Sequence, residues 1–237
     1  MSRQDYWRDR FRQIRPGWEP SPTLYRRLIA TRVDARTRLL DVGCGHAELL
    51  RDSYERSAHV CGVDPDVEAL RENRALANRV AGLAERLPFR DAAFDLVALA
   101  WVLEHLPHPE RAFREIHRIL RPGGTVVFLT PNTWNYNVWA IRLVPNVFHG
   151  YFTRRLYSRD EHGTYPTQYK VNSIRRIHSM LTRVGFRRDE VVFNGDPTYM
   201  GLNEPLFRFA CLLERLLDVP QLRRARVHII AAYRKEG

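Results

Sequence analysis

The chain has 237 residues, 44% of them hydrophobic and 27% charged, proportions that suit one globular domain and exclude a disordered chain, a collagen-like repeat or a coiled-coil rod. The formal net charge is +11, yet Lys170 and Lys235 are the only lysines. An arginine bias of this kind can follow genome composition, so the charge bears on solubility and anion contacts more than on nucleic-acid binding. Cys44, Cys61 and Cys211 stand far apart with no CxxC pair, which points to a reducing compartment. The charged Met1–Arg15 stretch is no signal peptide, and the longest apolar run, Leu96–Leu103, is too short to span a bilayer, so a cytoplasmic protein is expected.

Gln4–Ile14 has helical character and ends at Pro16-Gly17. Ser21-Pro22 reads as an N-cap and first helical position, with Leu24, Leu28 and Ile29 on one face. An alternation starts at Arg38. The apolar run Leu39–Val42 leads through a glycine turn to a helix over about 47–54. Val60–Val63 leads to a helix over about 66–77. Phe94–Ala100 leads to a helix opened by Pro109 and running to Leu120. Arg121–Gly124 reads as a turn and Thr125–Leu129 as a β-branched strand. Strands alternating with helices predict a mostly parallel sheet covered on both faces. Residues 131–172 hold many aromatics without strong periodicity, the usual composition of a lid or binding loop. Ser173–Val184 reads as a helix stopped by Gly185, Val191–Phe193 as a strand, Leu206–Leu217 as a helix with a wide apolar face and Val227–Tyr233 as the last strand.

The stretch Leu39–Ala47 carries the first chemical signal. Gly43 and Gly45 let a ligand approach the backbone closely, a helix start supplies free N–H groups, and ligands bind outside this carboxyl edge in open α/β sheets. Asp64 ends the next strand roughly 20 residues after Asp41, where an acid can take both hydroxyls of a ribose. A dinucleotide site wants a small residue three positions after Gly45. Glu48 stands there, which disfavours a nicotinamide-dependent oxidoreductase. The other cofactor that suits the pattern is S-adenosylmethionine (SAM), which has a ribose and a charged amino-acid tail but no phosphate.

After Leu39–Ala47 and Asp64 come Glu85-Arg86-Leu87-Pro88-Phe89, Ala93-Phe94-Asp95-Leu96-Val97, Leu103-Glu104-His105 and Leu120-Arg121-Pro122-Gly123-Gly124. This succession, which covers Leu39–Leu129, resembles the class I SAM-dependent methyltransferases. It is most similar to the broad type 11-like branch that includes quinone-pathway methyltransferases. The resemblance implies a Rossmann-like, doubly wound, seven-stranded, mostly parallel α/β sheet with an antiparallel last strand. It implies one methyltransferase domain over 1–237: an N-terminal helical cap at 1–35, a cofactor-binding core at 36–130, an acceptor or lid insertion at 131–172 and the rest of the sheet at 173–237. It also implies SAM as cofactor and S-adenosylhomocysteine as product. Asp41 and the backbone of Gly43 and Gly45 would hold the methionine end and Asp64 the ribose. Ala84 and Glu85 would lie beside the adenine, and Ala100 would pass near the cofactor. The family usually has an aspartate before the Ala84-Glu85 pair; Leu83 stands there, leaving backbone, apolar contacts or Glu85 to hold the adenine.

The expected acceptor is a small molecule, most simply a hydroxyl on a lipid, sugar or natural-product intermediate. His105, His149 and Tyr165 are the candidates for proton transfer, because His and Tyr can take a proton from a nucleophile. The acceptor pocket is expected between the carboxyl edge and the aromatic stretch with Trp134, Tyr136, Trp139, Tyr151 and Tyr169, roofed in part by the N-terminal helix. No metal is expected: the quinone-pathway O-methyltransferases carry a further glutamate three residues before the Glu-His pair, where Trp101 stands. A non-catalytic SAM-binding scaffold or regulatory partner is the rival from another class. An RNA methyltransferase is disfavoured, with no Asn-Pro-Pro-Tyr-type motif and no appended RNA-binding module. Residues 206–217 read as a helix buried against the sheet edge, with peripheral membrane or partner contact as the alternative. The oligomeric state stays open.

Overall fold

The computed structural model describes residues 3–46, 49–136, 138 and 165–237. In chain order these form α1 (Arg3–Ile14), α2 (Ser21–Ala30), β1 (Arg38–Val42), α3 (Arg51–Arg56), β2 (His59–Asp64), α4 (Val67–Glu72), β3 (Arg79–Ala81), β4 (Phe94–Ala100), α5 (Pro109–Ile119) and β5 (Leu120–Pro131). After the undescribed stretch come α6 (Ile174–Val184), β6 (Phe186–Asn194), a 3-10 turn at Pro197–Met200, α7 (Glu204–Leu216), a second at Arg223–Ala225 and β7 (His228–Lys235).

The seven strands form one sheet in the order β3-β2-β1-β4-β5-β7-β6. β1 pairs in parallel with β2 (Asp41 opposite Gly62) and with β4 (Asp41 opposite Ala98), while β2–β3 and β4–β5 are parallel as well. The last strand runs antiparallel, as the sequence implies. The central strands are apolar throughout because both faces are covered, and Leu39, Leu40, Leu96, Val97, Val126 and Val127 are fully or nearly fully buried. The order reverses beside β1, whose neighbours β2 and β4 lead their chains to opposite sides. This is the crevice at which doubly wound sheets take ligands.

Several boundaries differ from the sequence reading. α4 ends at Glu72 instead of about Ala77. Asp66 caps its start by accepting from Glu68 and Ala69 N–H, and Asn73 ends it: its side chain accepts from Ala75 and Leu76 N–H and donates to the Gly45 carbonyl. An asparagine bonded to nearby backbone in this way competes with further helix. α3 begins at Arg51, not at about Ala47. The Arg121–Gly124 turn is a bulge within β5: Phe94 faces Leu120 but Leu96 faces Thr125, so extra residues are accommodated on β5. β6 starts at Phe186, earlier than Val191, because Arg187–Glu190 lie exposed on the sheet's edge strand, where charge blunts unwanted pairing. Gly185, in the left-handed region at φ +102°, closes α6 with its N–H on the Leu181 and Thr182 carbonyls.

The chain divides into two compact units. The larger, 22–131 with 165–192 and 229–237, holds most of the sheet around a core that includes Tyr25, Ile29, Leu39, Leu96, Val127 and Ile230. The smaller, 1–21 with 132–164 and 193–228, packs Trp7, Phe11 and Trp18 against Phe207 and Cys211. Trp18 Nε1 donates to the Gly195 carbonyl at 2.8 Å, and a Cβ on Gly201 would stand 2.5 Å from the Trp7 ring.

Candidate functional site

Parallel pairing brings the carboxyl ends of β1, β2 and β4 level, so Asp41, Asp64 and the loop after Ala100 share one edge. Gly43 turns the chain out of β1 at φ +74°, where a side chain is strained, and donates its N–H to the Val63 carbonyl at 2.7 Å. A Cβ on Gly43 would overlap Val102 Cγ2, so the glycine turn and the loop after β4 touch. Gly62 serves packing, since a Cβ there would meet Leu76 at 2.5 Å and the Cys44 sulfur at 2.6 Å. Burial pushes the Cys44 and Cys61 thiols up, so both act as packing residues and not as nucleophiles.

The two acids do different work. Asp64 is buried, and its Oδ2 accepts from Gly45 N–H and its Oδ1 from Asp66 N–H, each at 2.8 Å. It thus fixes the glycine turn and its own loop from one carboxylate, and lone pairs remain on both oxygens for further donors. Asp41 accepts from the Tyr54 hydroxyl in a wholly buried setting that lifts its carboxyl to about 7. Desolvation is the main cause and repulsion from Asp64 adds to it, while the Tyr54 bond opposes them. A buried acid next to a second acid favours a cationic ligand, which SAM is at both its sulfonium and its amino group.

This raised value has a sign that can be checked. The folded chain binds more protons than the unfolded chain between the ordinary carboxyl pKa and about 7, so Asp41's contribution is full in acid and is lost as the pH rises toward 7. Asp41→Asn should therefore raise the melting temperature of the ligand-free protein at pH 8 and leave it nearly unchanged at pH 4. Equal shifts at both pH values in melting curves would contradict the buried-acid account.

In the loop after β3, Ala84 is buried and Leu83 is 57% exposed. Glu85 Oε1 accepts from the His108 N–H at 3.4 Å, which ties this loop to the start of α5. Ala100 is half-buried at the end of β4, and the next residue, Trp101, turns the chain at φ +60° with its N–H on the Leu129 carbonyl. Such strain in a non-glycine residue gathers at functional loops.

His105 lies on that loop. Its N–H reaches the Val102 carbonyl at 2.9 Å and its Nδ1 faces the Pro166 carbonyl at 3.4 Å. A carbonyl only accepts, so this contact suits the tautomer in which Nδ1 is the donor. Tyr165, beside Pro166, is exposed, and its hydroxyl is raised by partial burial and by Asp64 and Asp66. Tyr165 thus lies within electrostatic reach of Asp64, and the Pro166 carbonyl lies against His105. His149 lies outside the described residues, as do Trp139 and Tyr151 of the expected acceptor lining.

A buried network was missed in the sequence. Glu104, 2% exposed, accepts from the Thr130 hydroxyl at 3.1 Å, Thr130 accepts from Asn172 Nδ2 at 2.5 Å, and the Glu104 carbonyl takes the N–H of Gln168 and Tyr169. It joins the loop after β4 and the end of β5 to the 165–172 segment. Glu104 thus turns toward Thr130, and among the described residues no group of His, Cys, Asp or Glu is arranged to hold a metal ion. The Glu-His pair was the only available signal, since Thr130 and Asn172 are far from it in sequence. A recess of about 390 Å³, lined by Pro107, His108, Arg111, Arg114, Lys170 and Met180 among others, lies at the start of α5, away from the glycine turn.

The sheet order is the one typical of Rossmann-like methyltransferases. The family described as "Methyltransferase domain" matches residues 40–128. Among curated relatives, the demethylmenaquinone methyltransferase of Streptomyces griseus is 32% identical over 52% of this chain and 58% of its own length. The ubiquinone/menaquinone biosynthesis C-methyltransferase UbiE of Bartonella quintana is 28% identical over 64% of each chain. The chain thus spans little more than half the length of several curated relatives that it matches. The solved S-adenosylmethionine-dependent methyltransferase from Mesorhizobium loti shares the fold, with a TM-score of 0.57 and 20% identity over 89% of this chain and 95% of that one.

Proposed function

We propose that the chain is a SAM-dependent methyltransferase acting on a small apolar acceptor through a hydroxyl-derived nucleophile. The observation that carries this reading is the joining of three features at one edge: the buried Asp41, the Gly43–Gly45 turn held by Asp64, and the His105 loop, whose Val102 lies against Gly43. Bound SAM supplies a methyl group on a cationic sulfur. The chain's part is to hold it, with Asp41 and the turn backbone toward the methionine end and Asp64 toward the ribose. Ala84 and Glu85 flank the adenine and Ala100 lies along the cofactor. Orientation and exclusion of water are worth several kcal/mol and up to about 10 in such transfers.

His105 takes the acceptor's proton at Nε2 as the oxygen attacks, and Tyr165 contributes an aromatic wall next to Asp64. The Glu104–Thr130–Asn172 network holds the His105 loop in place. His105→Ala should lower kcat by about a hundredfold or more, the lower range for a general base, and leave S-adenosylhomocysteine affinity at its wild-type value. Unchanged kcat with an accepted substrate would remove His105 from the reaction.

A second reading is favoured by the relatives' names, one of which is a C-methyltransferase. Deprotonation of a ring hydroxyl makes an ambident nucleophile, so the same histidine could direct the methyl to a ring carbon. Carbon-13 NMR of the product from labelled SAM separates a methoxyl from a ring methyl. Substrate identity can be sought by screening quinols, phenols and hydroxylated lipids. A protein that binds SAM but transfers methyl to none of them would favour the scaffold alternative.

A further inference from the structure

α7 is apolar on two sides. Its inner side, with Phe207, Ala210, Cys211 and Glu214, is buried in the smaller unit. On the outer side Phe209, Leu212 and Leu216 follow one another at helical spacing and are 51, 53 and 54% exposed. Val219 and Leu222 extend the exposed stretch through the turn after the helix. The sequence reading set this helix against the sheet edge; its buried side instead packs on Trp7, Phe11 and Trp18, and the outer side is left exposed. Arg208 and Arg215, a heptad apart, run along one flank of the outer stripe, and Arg223 and Arg224 follow Leu222; all four are exposed. Asp218 and Glu204 are engaged by Arg15, Arg226, Arg10 and Arg208, so the acids near the stripe are already matched.

An apolar stripe with arginines beside it, on a chain of net charge +11, complements an anionic bilayer surface. We propose that α7 and the turn after it dock the protein on anionic membranes. Phe209, Leu212, Leu216, Val219 and Leu222 enter the headgroup boundary, and Arg208, Arg215, Arg223 and Arg224 meet lipid phosphates. Arginine suits this place because its stem covers apolar surface while its head stays at the polar layer. The surface is independent of the catalytic reading, though it would bring the domain to lipid-soluble acceptors.

The test is co-sedimentation of the full chain with phosphatidylcholine vesicles, with and without phosphatidylglycerol. Binding is expected to the phosphatidylglycerol vesicles, to weaken as salt rises and to be far weaker on phosphatidylcholine alone. Arg215→Gln and Arg224→Gln should each weaken it by about fivefold, the effect of one arginine near a charged surface. The triple variant Phe209→Ser, Leu212→Ser, Leu216→Ser should abolish it; the replaced side chains are exposed, and an unchanged circular dichroism melting curve checks that the fold is kept. Vesicle binding by the triple variant equal to that of wild type overturns the proposal, as does failure of the wild type to bind phosphatidylglycerol vesicles. A wild-type dimer in sedimentation velocity that the triple variant dissolves, without vesicle binding, overturns it in favour of a second copy of the chain.

Discussion

Gly43→Val is expected to abolish cofactor binding, with no heat detected on titration of S-adenosylhomocysteine, a loss of at least a hundredfold or about 3 kcal/mol. Two effects act together. At φ +74° a β-branched side chain is strained, and its Cβ overlaps Val102 Cγ2. Relief requires the turn to move away from the loop after β4, which breaks the 2.7 Å Gly43 N–H to Val63 carbonyl bond and shifts Gly45 off Asp64. The contact with Val102 yields an internal control. Gly43→Ala combined with Val102→Ala removes the overlap and should recover part of the affinity that Gly43→Ala alone loses. Wild-type affinity in folded Gly43→Val protein would mean that the turn does not shape the ligand site. No recovery in the double variant would mean that the strained backbone, and not Val102, is responsible.

Asp64→Ala should weaken S-adenosylhomocysteine binding by about tenfold to a hundredfold, the cost of losing charge-assisted bonds worth roughly 1.5–3 kcal/mol. The carboxylate has two tasks here. In the proposed reading its remaining lone pairs face the ribose hydroxyls. Toward the protein it accepts from Gly45 and Asp66 N–H, so its removal also loosens the turn. Asp64→Asn separates the tasks in part, since an amide oxygen still accepts from one backbone N–H but the charge is gone. A larger loss for Ala than for Asn is expected, with both well below wild type. Calorimetry that finds either folded variant binding as wild type would refute the ribose role.

The parts of this molecule that sequence reveals are those whose signal is local. β1, β2, β4 and the second half of β5 are apolar runs because the sheet buries both their faces, and α5 is opened by Pro109 at its first position. The glycine turn and Asp64, which Gly45 N–H meets, are legible because the glycines and acids must sit at strand ends. β3, Arg79–Ala81, is three residues long and largely exposed, so it leaves no hydrophobic pattern. The end of α4 depends on Asn73 reaching Gly45, 28 residues away. Ser21 meets His228 Nδ1 across 207 residues, and Tyr199 meets the ring's other nitrogen, a buried chain with no shared motif. The Glu104–Thr130–Asn172 network is invisible for the same reason: each side chain alone reads as an ordinary polar residue. The proposed site thus rests on residues legible in sequence, and its rigidity on pairings that only the fold creates.

The most direct measurement of the central claim is a crystal structure with S-adenosylhomocysteine bound. The account predicts density with the ribose hydroxyls on Asp64, the amino-acid tail over Gly43–Gly45 toward Asp41, the adenine against Ala84, and the sulfur facing the loop that carries His105. Density in the basic recess of Pro107, Arg111, Arg114 and Lys170, with the glycine turn free of ligand, would contradict it.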